Sequence, residues 1–242
     1  MSGHPSMSEW FSNPYFLSFM ENLSQKQLKK DVKEILKNAD FKERIKAICS
    51  ISPKKIVNAL FPFLYDTDEL IKWRSITSIG IGVSAISDIC FESARVIMRR
   101  LMWNLNDESG GIGWGSPEAM GEIMANNKAI AKEYSKILIS YISNNGNFLE
   151  NEWLQKGVIW GLSRISETFP EFIIDSSNII SPFLDEDDIF FRGCSAFILS
   201  LIHYWPSGNI PTKLLNDKSE LKFYKNGDFI ETTIADLAKG LQ

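Results

Sequence analysis

Residues 64–74, LYDTDELIKWR, and residues 105–115, LNDESGGIGWG, are two versions of one pattern set 41 positions apart. Each opens on a leucine, has an acid at its third position and reaches a tryptophan at its tenth. A weaker third copy runs from Leu149-Glu150 to Lys156-Gly157, and a fourth from Leu184-Asp185 to Phe191-Arg192. A period of ~40 residues belongs to arrays of helix pairs of the HEAT or armadillo kind; tetratricopeptide and ankyrin repeats are shorter, ~34 and ~33 residues. Between the anchors the apolar residues step by three and four, as one helical face requires. Phe91, Ala94, Met98, Leu101 and Leu105 do so, as do Ile130, Tyr134, Ile137 and Tyr141, and Phe190, Cys194, Phe197 and Leu201. One such pair cannot bury its apolar face alone, and stacking pairs side by side makes a continuous core. The expected fold class is all-α, an α–α superhelix or HEAT/armadillo-like solenoid over residues 1–216. MSGHPS at the start reads as vector-derived and is left out of the fold reasoning.

The four copies differ in how their first helix begins. At Asp66 the chain offers a capping box, with Asp66 at the N-cap and Glu69 three residues on. In the second copy the matching turns read Ser109-Gly110-Gly111-Ile112-Gly113. Each glycine costs a helix interior roughly 1 kcal/mol, so these turns are expected to unwind. The helix then restarts at Ser116 as N-cap with Pro117 at the first position. About two turns of helix are thereby exchanged for loop. A different ending is expected at the C-terminus. Leu221 to Tyr224 and Phe229 to Thr232 flank Asn226-Gly227, a strong two-residue hairpin signal. Thr233 caps a last short helix over 234–241. Residues 217–242 are therefore expected to form a hairpin and short helix packing on the last repeat.

Bulk properties exclude several function classes. The chain has 242 residues, a net charge of −4 and a pI near 5.4, so no global attraction draws it to nucleic acid. Residues 26–55 carry ten Lys/Arg against four acids, but no aromatic interleaving marks a stacking platform, and a solvated outer face is expected there. The three cysteines, Cys49, Cys90 and Cys194, sit far apart in apolar runs, which fits buried thiols in a reducing cytoplasm. No secretory leader is expected, and the most apolar window, residues 76–91, is too short to span a bilayer and contains Asp88. His203 lies at the end of an apolar helix beside Tyr204 and Trp205 and is expected to be half-buried. No cysteine or histidine spacing fits a metal, and no phosphate loop or nucleophile elbow is present. Neither a metal nor a cofactor is expected.

Chemistry concentrates in residues 99–123, RRLMWNLNDESGGIGWGSPEAMGEI. Asp107, Glu108, Glu118 and Glu122 occupy a span without Lys or Arg between Arg100 and Lys128. Glu118 and Glu122 stand four apart and share a helix face. Arg95, Arg99, Trp103 and Asn106 form a stripe on the preceding helix, expected to face the groove, with Arg99 over Trp103 as a cation–π contact. Gly113 and Trp114 close the loop. Two ligand readings stand side by side: glycine amides and a helix N-terminus receiving an anion, or carboxylates receiving a cation with Trp114 as a stacking wall. A structural account competes with both: glycines permitting close packing, and acids that cap helices or pair with Arg95, Arg99 and Arg100. Acid–base catalysis by the carboxylates has no accompanying nucleophile or metal.

The block at 99–123 is similar to one in an uncharacterised prokaryotic family grouped with phycobilin-lyase HEAT-like repeats. The ending FYKNGDFIETTIADLA (residues 223–238) also resembles the ending of those proteins. The resemblance implies an α–α superhelix and carries no assigned reaction; it points to Arg99, Asn106, Asp107, Glu108, Gly113, Trp114, Glu118 and Glu122. Trp73-Arg74 faintly resembles the repeat pattern of DNA-alkylation-repair glycosylases, but the acidic centre weighs against duplex binding. The expected function is a non-enzymatic scaffold binding a protein, peptide or small ligand through a groove at residues 99–122. The alternatives are a lyase- or isomerase-like enzyme or chaperone acting on a cofactor such as a tetrapyrrole, and, less favoured, a DNA-binding solenoid. No membrane partner is expected.

Overall fold

The computed structural model describes residues 24–106, 113–205 and 207–241. They are helical apart from one two-stranded antiparallel sheet. The chain opens with α1 (Gln25–Leu36), α2 (Phe41–Cys49) and α3 (Pro53–Leu60). Next come α4 (Glu69–Ile89), α5 (Phe91–Leu105), α6 (Ser116–Asn126), α7 (Lys128–Ser140) and α8 (Glu152–Thr168). Short helical turns, including α9 (Ser177–Ile180), lead to α10 (Ile189–Leu201). The end is α11 (Thr212–Leu215), β1 (Glu220–Lys225), β2 (Asp228–Thr233) and α12 (Ile234–Ala238). Among the described residues no helix is long and apolar enough to cross a membrane.

α4, α6, α8 and α10 lie in series, each against the next, while α5 packs on α4 and α6, and α7 on α6 and α8. The helices of each pair are separated by one extended residue: Cys90 between α4 and α5, Asn127 between α6 and α7. The inner series holds the core: Ile76, Ile79, Ile123, Ile159, Trp160 and Phe197 are at most 1% exposed. α6 sits mid-series and is buried from Ser116 to Ala125. That burial explains its uniformly small and apolar composition, and it makes its two glutamates conspicuous.

The helix starts are displaced from their expected caps. Asp68 caps α4, accepting from the Ile71 amide at 3.2 Å. Asp66 instead accepts from the Asp68 amide and pairs with Lys33 at 2.6 Å, so it fixes the approach to the helix. Asn151 and Asp188 cap α8 and α10 in the same way. α6 begins at Ser116 behind a left-handed Gly115 (φ 76°), one residue from the expected cap. Two other expectations fail. Cys90, at the α4–α5 joint, is exposed, whereas Cys49 and Cys194 are buried and burial pushes the Cys49 thiol up to about 12. His203 is exposed in the left-handed region (φ 52°), because it follows the end of α10 rather than lying within it.

The hairpin forms as expected: Lys225 pairs with Asp228 across Asn226-Gly227, both with positive φ, as a two-residue turn requires. Its placement differs. It reaches beyond the last helix pair, with Leu221 and Phe223 on α10 and Lys225 paired with Glu167 of α8. The Trp160 indole donates to Tyr224 O at 3.2 Å, and the Gly227 carbonyl is held by Arg74 of α4. The hairpin thus crosses the whole inner series, while α12, capped by Thr233, packs on α10.

Candidate functional site

Ser75 lies six residues into the 21-residue α4 and aligns with Ser116, the first residue of the 11-residue α6. α6 therefore lacks about 9 Å of the helix its neighbour possesses. α6 stands between α4 and α8, and among the described residues a gap lies between their first turns beside its start. That gap is a cleft of about 420 Å³, within the range of ~300–1,000 Å³ usual for ligand pockets. α4 contributes Glu69, Lys72 and Trp73; the start of α6 contributes Trp114, Gly115 and Glu118. α8 contributes Trp153, Lys156 and Gly157, and the hairpin closes one side with Lys222, Tyr224 and Phe229.

Three facing pairs set α6 against α8. Glu118 meets Gly157, Gly121 meets Gly161, and Glu122 meets Arg164. The numbers rise together, so the two helices run parallel. At the crossing, a Cβ on Gly121 would stand 2.2 Å from Gly161 Cα. One turn earlier, a Cβ on Gly157 would lie 2.6 Å from Glu118 Oε2, so the carboxyl occupies room that a side chain at 157 would take.

The two glutamates of α6 meet opposite environments. Glu122 is satisfied: Arg164 Nε donates to it at 2.8 Å, and Asn126 Nδ2 at 3.2 Å. Arg164 also pairs with Glu167, which in turn holds Lys225 of the hairpin. Glu118 is 7% exposed, and Lys72 approaches its Oε1 only to 4.0 Å. Its Oε2 is one of two buried side-chain atoms among the described residues without a hydrogen-bond partner; the other is Ser195 Oγ. Burial pushes the Glu118 carboxyl above the usual range, and the Lys72 ammonium and the residue's own amide oppose this without cancelling it. A raised folded-state pKa means that the folded chain holds this proton more tightly than the unfolded chain does. Stability associated with Glu118 is then full below the ordinary carboxylate range and falls as pH rises through the folded value. Glu118→Gln should therefore match the parent in urea melts at pH 4 and exceed it at pH 8 by on the order of 1 kcal/mol, the scale of an unsatisfied buried polar group. Equal stability at both pH values would show that Glu118 is fully compensated.

The other described residues of the predicted set do not join this cleft, Glu122 and Gly113 included. On α5, Arg95 donates to Glu133 at 2.9 Å and Arg99 to Glu92 at 2.6 Å, on an exposed outer face. Exposed pairs of this kind contribute little. Arg99 thus turns to Glu92 rather than to Trp103, whose ring is 74% exposed. Asn106 is the C-cap of α5, its amide donating to Trp103 O at 3.1 Å. Gly113 accepts from the Ser116 amide and abuts Asn104. Asp107 and Glu108 lie outside the described residues. Among the described residues of the predicted set, only Trp114 and Glu118 line the cleft. The readings of that set as a corner and as a binding place divide along this line: the α5 stripe is an ion-paired surface, and the start of α6 borders open space.

Missed at the level of sequence were Lys72, Trp153, Lys156, Lys222, Tyr224 and Phe229. A signal existed for part of them. Of the anchors that suggested the repeat, Trp73, Trp114-Gly115 and Lys156-Gly157 line the cleft, whereas Arg74 and Phe191-Arg192 do not. These three echoes of one pattern come together in space, so part of the place was marked by the anchors themselves. The hairpin residues had no such signal. Comparison with known proteins adds one relative of unassigned role. The chain is 24% identical over 188 residues to an "Uncharacterized protein" of Archaeoglobus fulgidus, a stretch that covers 77% of this chain and 93% of that protein. No family model matches the chain.

Proposed function

We propose that the protein is a cytoplasmic, HEAT-like helical-repeat binding protein, acting without catalysis, that receives a peptide or small ligand in the cleft at the start of α6. The observation that carries this reading is the placement of a buried carboxyl, one oxygen of it unpartnered, at an opening made by shortening one helix of a stacked series. Inside a packed series, a missing stretch of helix is ordinarily filled by neighbouring side chains, because unfilled space forfeits contacts. Here Trp73, Trp114, Trp153, Tyr224 and Phe229 stand around the space, which suits an occupant with apolar faces. Two features of the sequence agree with the HEAT-like assignment: the ~40-residue period and the paired helices. The odd, widely spaced cysteines agree with a reducing compartment.

Panning a random heptapeptide library against the full chain tests the reading. Enrichment of a sequence class by the parent, lost with Trp114→Ala, is the expected result. The melting temperature of that variant should stay close to the parent's, because the Trp114 side chain is 47% exposed. The same peptides retained at full strength by Trp114→Ala, or no enrichment at all, would remove the cleft as the binding place.

A further inference from the structure

The lysines around the cleft are unequally paired. Lys156 is held by Glu152 at 2.9 Å and Asp188 at 2.7 Å, and Lys222 by Glu69 at 2.6 Å. Lys72 has Glu118 at 4.0 Å, too far for a hydrogen bond. Among the described residues that line the cleft, three ammoniums, Lys72, Lys156 and Lys222, meet two carboxyls, Glu69 and Glu118, and two of the three ammoniums are already held at hydrogen-bond distance. The group left short of a donor is the carboxyl of Glu118, whose Oε2 has no hydrogen-bond partner. Two of the lysines also show how the walls treat a cation. Lys222 sits 3.8 Å from the centroid of Phe229 and Lys156 4.8 Å from that of Trp153, distances at which a ring face attracts a cation.

We propose that the cleft binds a primary ammonium group on an apolar arm, with the ammonium donating to Glu118 and the arm lying among Trp73, Trp114 and Trp153. This inference rests on the binding reading above and names the ligand's chemistry. A primary ammonium fits better than a quaternary one, because Glu118 lacks a hydrogen-bond donor and not merely a charge. Glu118 lines the cleft, so its carboxyl is the acceptor that the ammonium meets. An anion has less to gain here, since Lys156 and Lys222 are already committed to carboxylates and Glu118 would repel it. Protonation of Glu118 removes the negative charge that the ammonium meets, so affinity falls as pH drops into the range where the carboxyl is neutral.

The test uses the full chain at pH 8, with the tryptophan indole signals followed by 15N NMR during titration with hexylammonium, hexanoate and 1-hexanol. Hexylammonium should shift the indoles of Trp73, Trp114 and Trp153 saturably, and Glu118→Gln should weaken it by about tenfold or more, the loss expected for a charge-assisted hydrogen bond. The tripeptide acetyl-Gly-Lys-Gly-amide separates the sources of the group. Tighter binding than hexylammonium assigns a lysine side chain, and weaker binding a free amine; each supports the proposal. Hexanoate or 1-hexanol binding as well as hexylammonium, with Glu118→Gln unchanged, overturns the ammonium proposal and leaves a ligand cleft standing. Indoles unmoved by every probe at millimolar concentration also overturn it, and the cleft reading is then decided by the peptide panning alone. Trp114→Ala provides a second variant should Glu118→Gln fold poorly, and it should weaken hexylammonium by removing a wall.

Discussion

Arg74→Ala should lower the melting temperature by roughly 10 °C, the response of a chain of this size to a loss of about 3–5 kcal/mol. Arg74 is 5% exposed and points into the joint between three parts of the chain. Its Nε donates to Gly227 O at 3.0 Å, and its Nη1 donates to Leu36 O at 2.9 Å and Asn38 O at 3.1 Å. These carbonyls belong to the hairpin tip and to the end of α1. The guanidinium also lies 5.0 Å from the centroid of the Phe41 ring. Truncation would leave three acceptors in or near the interior without their donor, and it would open a cavity beside Phe41. Arg74→Lys should recover only part of the loss, because an ammonium cannot present donors at the fixed angles of a guanidinium. Thermal melts followed by circular dichroism decide the matter; a shift below about 2 °C would mean that the hairpin is held without Arg74. The effect should extend to ligand binding, since Tyr224 and Phe229 of the same hairpin wall the cleft.

The second large effect is expected at Gly121, where propensity and packing predict opposite signs. In an isolated helix Gly→Ala is worth about 1 kcal/mol in the helix's favour. In this protein the added Cβ would meet Gly161 Cα at 2.2 Å and Gly161 O at 2.7 Å. Both atoms are backbone, so they cannot swing aside, and α6 and α8 must move apart. Gly121→Ala should therefore destabilise, and Gly121→Val should do so by about 3 kcal/mol or more, the upper end of overpacking penalties. Separating these helices also moves Glu118 from Gly157, one turn away, so the cleft should change shape as stability falls. Urea unfolding of the two variants provides the check. A stabilised Gly121→Ala would show that the helices do not make this contact.

Much of the helical plan was readable from spacing alone. The 41-residue echo of Leu64–Arg74 in Leu105–Gly115, the i, i+3, i+4 stripes and the Asn-Gly turn are local or periodic signals, and they concern single elements. The shortened helix at Ser116 belongs with them, because glycine and proline act on the backbone wherever the chain goes. The helix caps were read less well: Asp66 and Asp68 both precede α4, and which of them caps it depends on Lys33, which draws Asp66 away. The α5 stripe was misread for a related reason. Arg95, Arg99 and Trp103 share a face, but periodicity does not say whether a polar face looks into a groove or outward, and here it looks outward onto Glu92 and Glu133.

The sequence by itself determined which segments are helical, where one helix of the series is cut short, and where the chain reverses into a hairpin. Those outcomes follow from backbone entropy, sterics and hydrophobic period, which act within a few residues. Only the tertiary structure decided the fate of the two glutamates on α6. They share a face and differ by one turn, yet Glu122 meets Arg164 and Glu118 meets Gly157. Arg164 and Gly157 are themselves seven residues apart on one face of α8, so the crossing of two helices sets an arginine against one carboxyl and a bare backbone against the other. Whether a buried charge is compensated depends on what a distant segment brings within hydrogen-bond reach, and that distance is set by the packing of α6 against α8.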